Sequence, residues 1–118
     1  MKPMVVFGAM LLLPGVQPAH AVKLLTPSTD SCRTFVGLMQ HFSSSQEALQ
    51  LVSMSGWVTG FMSGIAEGTN VDILRELDIT EITTRVIQVC EANPDISVSE
   101  AAERTAGEML RAHGVTVK

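Results

Sequence analysis

The sequence predicts an all-α fold, a small four-helix bundle-like domain with one disulfide. Two observations lead to this prediction. Apolar residues recur at spacings of three and four along most of the chain, and no run alternates apolar and polar residues for long enough to indicate a strand. The chain also contains two cysteines, Cys32 and Cys90, which stand in different predicted helices. A bridge between them would join the first helix to the third.

The N-terminal residues predict an export signal. Lys2 precedes an uncharged apolar run at residues 4–13, well short of the roughly 20 apolar residues that span a bilayer. Ala19-His20-Ala21 is the small-x-small pattern that a signal peptidase reads, so we expect cleavage after Ala21. A buried core helix at the start of a cytosolic domain is the alternative interpretation. The expected organisation is a signal peptide at 1–21, a flexible arm at 22–30 and a helical domain at 31–114.

The charge of the mature chain excludes several classes of partner. All 12 acidic residues but only seven of the eight basic ones follow the cleavage site, which gives a formal charge of −5. Nucleic acids and anionic membranes require clustered Lys and Arg, whereas the arginines of this chain are scattered singly. We therefore expect protein partners or unfolded clients, with no nucleic acid and no membrane after cleavage. A homodimer is a further candidate.

The first two helices follow from capping residues and apolar spacing. Asp30 or Ser31 can cap the first helix. The second and longest helix is expected at about residues 46–67, with Gly68 as its left-handed C-terminal cap. The predicted apolar face of the first helix is Cys32, Phe35, Val36 and Met39, and that of the second is Leu51, Met54, Val58, Phe61 and Ile65.

The last two helices carry their own start signals. We expect one or two helical turns within residues 71–77, followed by capping boxes that begin the third and fourth helices. These boxes pair Asp78 with Glu81 and Ser97 with Glu100. Asn93-Pro94 ends the third helix and Gly114 ends the fourth. The predicted apolar faces are Ile82, Val86, Val89 and Cys90 in the third helix, and Val98, Ala101, Ala102, Thr105, Met109 and Ala112 in the fourth.

Cys32 and Cys90 are predicted to form a disulfide. When a small exported domain contains only two cysteines, the simplest expectation is that they form a disulfide with each other. The bridge would close a loop of about 58 residues. The lost entropy of the unfolded chain would then raise the free energy of unfolding by on the order of 4 kcal/mol. Free thiols or a redox pair are the alternative, although the C-x-x-C spacing of redox pairs is absent from the sequence. His41 and His113 do not stand at ligand spacings from a Cys, Asp or Glu cluster, so we expect no metal.

Three glycines recur every four residues on the second predicted helix, at Gly56, Gly60 and Gly64. Each costs about 1 kcal/mol relative to alanine inside a helix, so three in register require a reason. The first interpretation is close packing against the first or last helix of the same chain. The second is a homodimer seam or a groove for a partner helix. Trp57 and Phe61 adjoin this candidate helix-packing or partner face, as core residues or as anchors for a partner.

Catalytic motifs are absent from the sequence. It contains no G-x-S-x-G elbow, no phosphate-binding glycine loop and no H-E-x-x-H. His41 lies close to Ser43, Ser44 and Ser45 in a linker, where a solvated loop histidine is the better interpretation. We therefore expect neither an enzyme nor a cofactor.

Three segments in order resemble the HdeA/HdeB family of small periplasmic acid-stress chaperones. They are C-R-T-F at 32–35, W-V-T-G-F-M-S-G at 57–64, and V-C-E-A-N-P at 89–94 before an Ala-rich helix. The resemblance covers about residues 31–110. It implies a periplasmic helical bundle with one disulfide, dimeric at neutral pH, that binds unfolding clients in acid. Those chaperones are rich in lysine, whereas the mature chain has only Lys23 and Lys118.

The chain also resembles the Tai family of periplasmic immunity proteins, which guard against peptidoglycan amidase toxins. The shared features are a G-x-x-x-G helix, an E-A-N-P-like stop and a terminal Ala-rich helix. Those proteins usually carry a Cys just before the glycine helix, where Ser55 and Gly56 stand in this chain. This resemblance implies a stoichiometric protein-binding module with a rigid surface at neutral pH.

Overall fold

A computed structural model describes residues 30–117, which fold into four α-helices. Within this range the only β pairing is an isolated bridge between Ser31 and Ser97. The predicted all-α class is therefore confirmed, while the predicted signal peptide and residues 22–29 of the arm lie outside the described residues. The helices are α1 (Cys32–Gln40), α2 (Ser45–Thr69), α3 (Ile79–Ala92) and α4 (Val98–Ala112).

Each of these helices begins at a polar residue that caps it. The cap side chain accepts a hydrogen bond from the backbone N–H three positions along, which satisfies one of the donors left free in the first helical turn. The predicted starts of α3 and α4 are confirmed, and Ser31 rather than Asp30 caps α1. The four caps, in chain order, are Ser31, Ser44, Asp78 and Ser97.

The end of α2 differs from the prediction. Gly68 lies inside the helix, and Asn70, with φ 57°, is the left-handed C-terminal cap. Asparagine tolerates this conformation better than most residues, so α2 continues past the glycine. The expected helical turns at 71–77 are also wrong, because this segment forms tight turns in which Glu76 has φ 64°.

Gly114 ends α4 as predicted. Its φ is 84°, and its N–H donates to the carbonyl oxygen of Arg111. The N–H of Val115 donates to the carbonyl oxygen of Leu110, which completes a Schellman motif. Val115 also packs against the core, so the chain turns back at this point.

The core is formed by one face of each helix together with Ile73 from the connection between α2 and α3. In α1 the buried residues are Cys32, Phe35 and Leu38, and the predicted Met39 is exposed. In α2, Met62 is buried, whereas Leu51, Phe61 and Ile65 pack at the edge of the core. The buried residues of α4 are mainly small, which leaves room for the larger side chains of the other helices. They include Ala101, Ala102, Thr105 and Ala106.

The predicted disulfide is confirmed. Cys32 and Cys90 are joined with a Cα–Cα distance of 4.9 Å, and the bond connects the start of α1 to the last turn of α3. The N–H of Cys32 donates to the carbonyl oxygen of Ile96, and the N–H of Val98 donates to that of Asp30, both at 2.8 Å. The start of α1 is thus held covalently to α3 and by backbone hydrogen bonds to α4 and the loop before it.

Candidate functional site

The three glycines of α2 do not pack against another helix of the described chain. Gly56, Gly60 and Gly64 are exposed, and a Cβ atom added at any of them would meet no neighbouring atom within 4 Å. The expectation of close packing against the first or last helix is therefore wrong. The cost of about 1 kcal/mol for each helical glycine is not offset by a contact within the described residues.

Trp57 and Phe61 belong to the boundary of the core instead. Both are half-buried and pack against the buried cluster. Their rings are stacked, with centroids 5.2 Å apart and an angle of 16° between the planes. The five residues predicted as one face thus separate into three open glycines and two aromatic residues beside them.

The glycines lie on an exposed surface that we call the α2 face. Leu49 and Val52 are 69% and 66% exposed on it. No charged residue occurs between Glu47 and Glu67 in the sequence. An exposed helix surface usually carries charged side chains, so an uncharged surface with two exposed aliphatic residues is a candidate binding surface. The α2 face consists of Leu49, Val52, Ser53, Gly56, Gly60, Ser63 and Gly64.

An open groove of about 530 Å³ adjoins the α2 face, and we call it the apolar groove. Three of the five large apolar side chains that are exposed in the described residues line it: Met39, Val52 and Ile79. They come from the end of α1, the first third of α2 and the start of α3. Since the disulfide joins the opposite ends of α1 and α3, these two helices run antiparallel. The remaining lining residues are Leu51, Ser55, Gly56, Thr59, Thr80, Thr83 and Thr84.

Thr83 differs from the other hydroxyl-bearing residues that line the apolar groove because it is buried. It is 5% exposed, and its Oγ1 is the one buried side-chain polar atom without a hydrogen-bond partner within residues 30–117. The hydroxyls of Thr59 and Thr105, in contrast, donate to the carbonyl oxygen four residues earlier, at 2.9 Å in both cases. A buried polar atom without a partner is costly, so this hydroxyl lowers the stability of the folded protein.

Replacing Thr83 with valine is expected to raise the free energy of unfolding by about 1 kcal/mol. The substitution exchanges an unpartnered hydroxyl for a methyl group of similar size. Thr105→Val is the matched control, because Thr105 is equally buried but loses a hydrogen bond, so it should not stabilise the protein. Urea denaturation of the three proteins compares them. A Thr83→Val variant that is less stable than wild type would show that the hydroxyl is hydrogen-bonded in solution.

A carboxylate holds the junction between α1 and α2. Oε1 of Glu47 accepts hydrogen bonds from the backbone N–H of Ser43 at 2.8 Å and from its hydroxyl at 3.2 Å. These bonds favour the ionised carboxylate and lower the pKa of Glu47 below its ordinary value of 4.5. The exposed side chains of Met39 and Phe42 flank this junction. It is therefore a pH-sensitive contact next to the apolar surface.

A second groove, of about 760 Å³, lies between α3 and α4 and has a different character. Its lining includes charged residues of both signs, among them Arg85 and Glu108. Arg104 in this groove is paired with Glu100 at 2.7 Å. Within residues 30–117 no cluster of His, Cys, Asp and Glu could hold a metal ion, and both cysteines are in the disulfide. This groove is lined by more charged residues than the apolar groove.

Sequence reasoning did not find Met39, Val52, Ile79 or Thr83. Leu49 and Val52 precede Gly56 by seven and four positions, so their place on the glycine side of α2 could have been recognised from helical spacing. The contributions of Met39 and Ile79 depend on how α1 and α3 are rotated against α2. No local pattern encodes that rotation.

The chain matches no family model, no curated protein and no solved structure. Residues 30–117 form a four-helix, disulfide-linked domain with an uncharged, apolar surface on α2. In the part of the chain that the structure describes, no helix has both the length and the apolar character to cross a membrane.

Proposed function

We propose that this protein is an exported periplasmic chaperone of the acid-stress type, which binds unfolding clients through the α2 face and the apolar groove. The observation that carries the proposal is the exposure of the aliphatic side chains of Leu49 and Val52 on an uncharged surface. Unfolding proteins expose apolar groups in varied arrangements, and such a surface binds them without requiring a particular charge pattern. The predicted signal peptide and the resemblance to the HdeA/HdeB family support the same function, which requires neither catalysis nor a cofactor.

Acid acts on this surface in two ways. Protonation of the carboxylates moves the net charge of the mature chain from −5 towards positive values. Because the pKa of Glu47 is lowered in the folded protein, its ionised form contributes stability above the ordinary pKa of 4.5. That contribution is lost as the pH falls through the lowered pKa. We expect the junction beside Met39 and Phe42 to loosen, so that more apolar surface becomes available to clients.

A client-aggregation assay between about pH 2 and pH 7 tests this function. Wild type is expected to suppress aggregation in acid, and the double variant Leu49→Arg, Val52→Arg is expected to lose most of this protection. Arginine stays charged at every pH of the assay, so it opposes the binding of apolar groups throughout. Gln88→Arg is the matched control, since Gln88 is an exposed uncharged residue on α3 outside the proposed binding surface. Absence of suppression at any acidic pH, with the fold intact by circular dichroism, would contradict the proposal.

A stoichiometric protein-binding module, such as an immunity protein, is the second candidate. The apolar groove favours it, because Met39, Val52 and Ile79 are exposed there in the folded protein and need no acid to become accessible. A pull-down from periplasm at pH 7 and in acid separates the two functions. Recovery of one partner at pH 7 in a 1:1 ratio supports the binding module, and recovery of many proteins only in acid supports the chaperone.

A further inference from the structure

The sulfur atoms of the mature chain differ in their exposure to solvent. Of the seven methionines, those at positions 1, 4 and 10 precede the predicted cleavage site, and all the others lie within the described residues. Met54, Met62 and Met109 are buried, whereas Met39 is 43% exposed. Both cysteines are buried and joined in the disulfide. Within residues 30–117, Met39 therefore carries the one sulfur atom that is open to a solute in the folded protein.

The position of Met39 gives a chemical change there a functional consequence. Its side chain lines the apolar groove, as do the exposed side chains of Val52 and Ile79. From this exposure and this position we propose that Met39 is an oxidation site, at which a peroxide converts the thioether to a sulfoxide and makes the apolar groove polar. The selectivity for Met39 is independent of the proposed function, whereas the consequence for clients rests on it.

The reaction is a two-electron oxidation of the thioether by hydrogen peroxide. A lone pair of the Met39 sulfur attacks one peroxide oxygen, so an S–O bond forms while the O–O bond breaks. The proton on the transferred oxygen passes through solvent to the departing hydroxide, which leaves as water. Sulfur is oxidised and peroxide is reduced, so no other group of the protein has to take part. Reductases that draw two electrons from thiols return a sulfoxide to the thioether, which makes the change reversible.

The sulfoxide is expected to affect binding more than folding. Met39 lies in the last turn of α1 and outside the buried core, so its new oxygen stays in contact with water in the free protein. An apolar molecule that covers the groove exchanges this water for apolar contacts, which is unfavourable for a strongly polar oxygen. We therefore expect oxidation to weaken the binding of apolar molecules in the groove about fivefold or more.

Treatment of the folded protein with hydrogen peroxide at neutral pH, followed by mass spectrometry of its peptides, tests the site. One added oxygen atom is expected at Met39 at least about tenfold faster than at Met54 or Met62, because a fully buried sulfur reacts only when the structure opens. The same treatment in urea is the control, since the buried methionines then become accessible and should react at rates similar to that of Met39. Equal rates in the folded protein, or a first oxidation at a buried methionine, would overturn the proposal.

Binding of the neutral apolar dye Nile red measures the effect on the groove. Oxidised wild type is expected to bind the dye about fivefold more weakly than untreated wild type, with an unchanged melting temperature. Met39→Leu is the matched control, because leucine keeps the position apolar and cannot be oxidised, so peroxide should not change its dye binding. Met39→Gln places a polar group there and should bind the dye weakly without any treatment.

Oxidised wild type that binds Nile red as tightly as untreated wild type would overturn the effect on the groove, and so would a Met39→Leu variant that loses dye binding with peroxide. The dye reports on the groove without any client. A protein that oxidises at Met39 and loses dye binding, but never suppresses aggregation, would contradict the proposed function alone. A protein that suppresses aggregation equally before and after oxidation at Met39 would contradict the inference alone.

Discussion

Removal of the Cys32–Cys90 disulfide is expected to lower the free energy of unfolding by about 2 to 5 kcal/mol. The bond closes a loop of 58 residues, so its loss gives the unfolded chain much more freedom. It also holds α1, which has only 9 residues and cannot be a stable helix alone. Urea denaturation of wild type and of the double variant Cys32→Ala, Cys90→Ala measures the loss. For a domain with a total stability of about 5 to 10 kcal/mol, the variant is close to unfolding at 37 °C.

Arg33→Ala is a suitable control for the disulfide variant. Arg33 also connects the start of α1 to the loop before α4, through an ion pair with Asp95 at 2.6 Å, but both side chains are exposed. Exposed ion pairs contribute little to stability, so we expect Arg33→Ala to change the free energy of unfolding by no more than about 0.5 kcal/mol. Titration of the denatured protein, purified without reducing agent after expression with its predicted export signal, with a thiol reagent checks the premise. Two reactive thiols would contradict the disulfide.

The helices could be predicted from the sequence because their signals are local. A cap such as Asp78 or Ser97 acts on the backbone three residues away, and its effect does not depend on the rest of the fold. The ends of helices are less certain, since Gly68 and Asn70 both suit a left-handed cap and α2 ends at the second. In α1, a shift of one position exchanges Leu38 for Met39 as the buried residue.

The candidate site was predicted only in part, for a physical reason. A glycine in a helix signals that a side chain is missing, and the same pattern serves a contact within the chain or a contact with another molecule. Spacing placed Gly56, Gly60 and Gly64 on one side of α2, but it could not identify the neighbour on that side. The apolar groove depends on three helices at once, so Met39 and Ile79 join it only after tertiary packing is fixed.

Replacing Phe35 with alanine is expected to lower the free energy of unfolding by about 3 to 5 kcal/mol. Phe35 is the largest of the fully buried side chains, with 0% exposure, and it lies one turn after Cys32 in α1. Phe35 is the only aromatic side chain that is buried in the described residues, and the rest of the core consists of smaller aliphatic, Met, Cys and Thr side chains. The small residues of α4 cannot close the cavity without moving the helix. Urea denaturation under oxidising conditions, with the disulfide intact, measures this effect separately from that of the bridge.

Phe42→Ala provides the matched comparison, because Phe42 is 43% exposed in the segment between α1 and α2. The same atoms are removed from a site where water fills the space, so no cavity forms and the loss is expected to stay below about 1 kcal/mol. The difference between the two variants therefore measures how firmly α1 is packed into the core when the disulfide already holds its first turn. Equal losses from the two substitutions would mean that the bond alone keeps α1 in place and that its apolar face is not packed in solution.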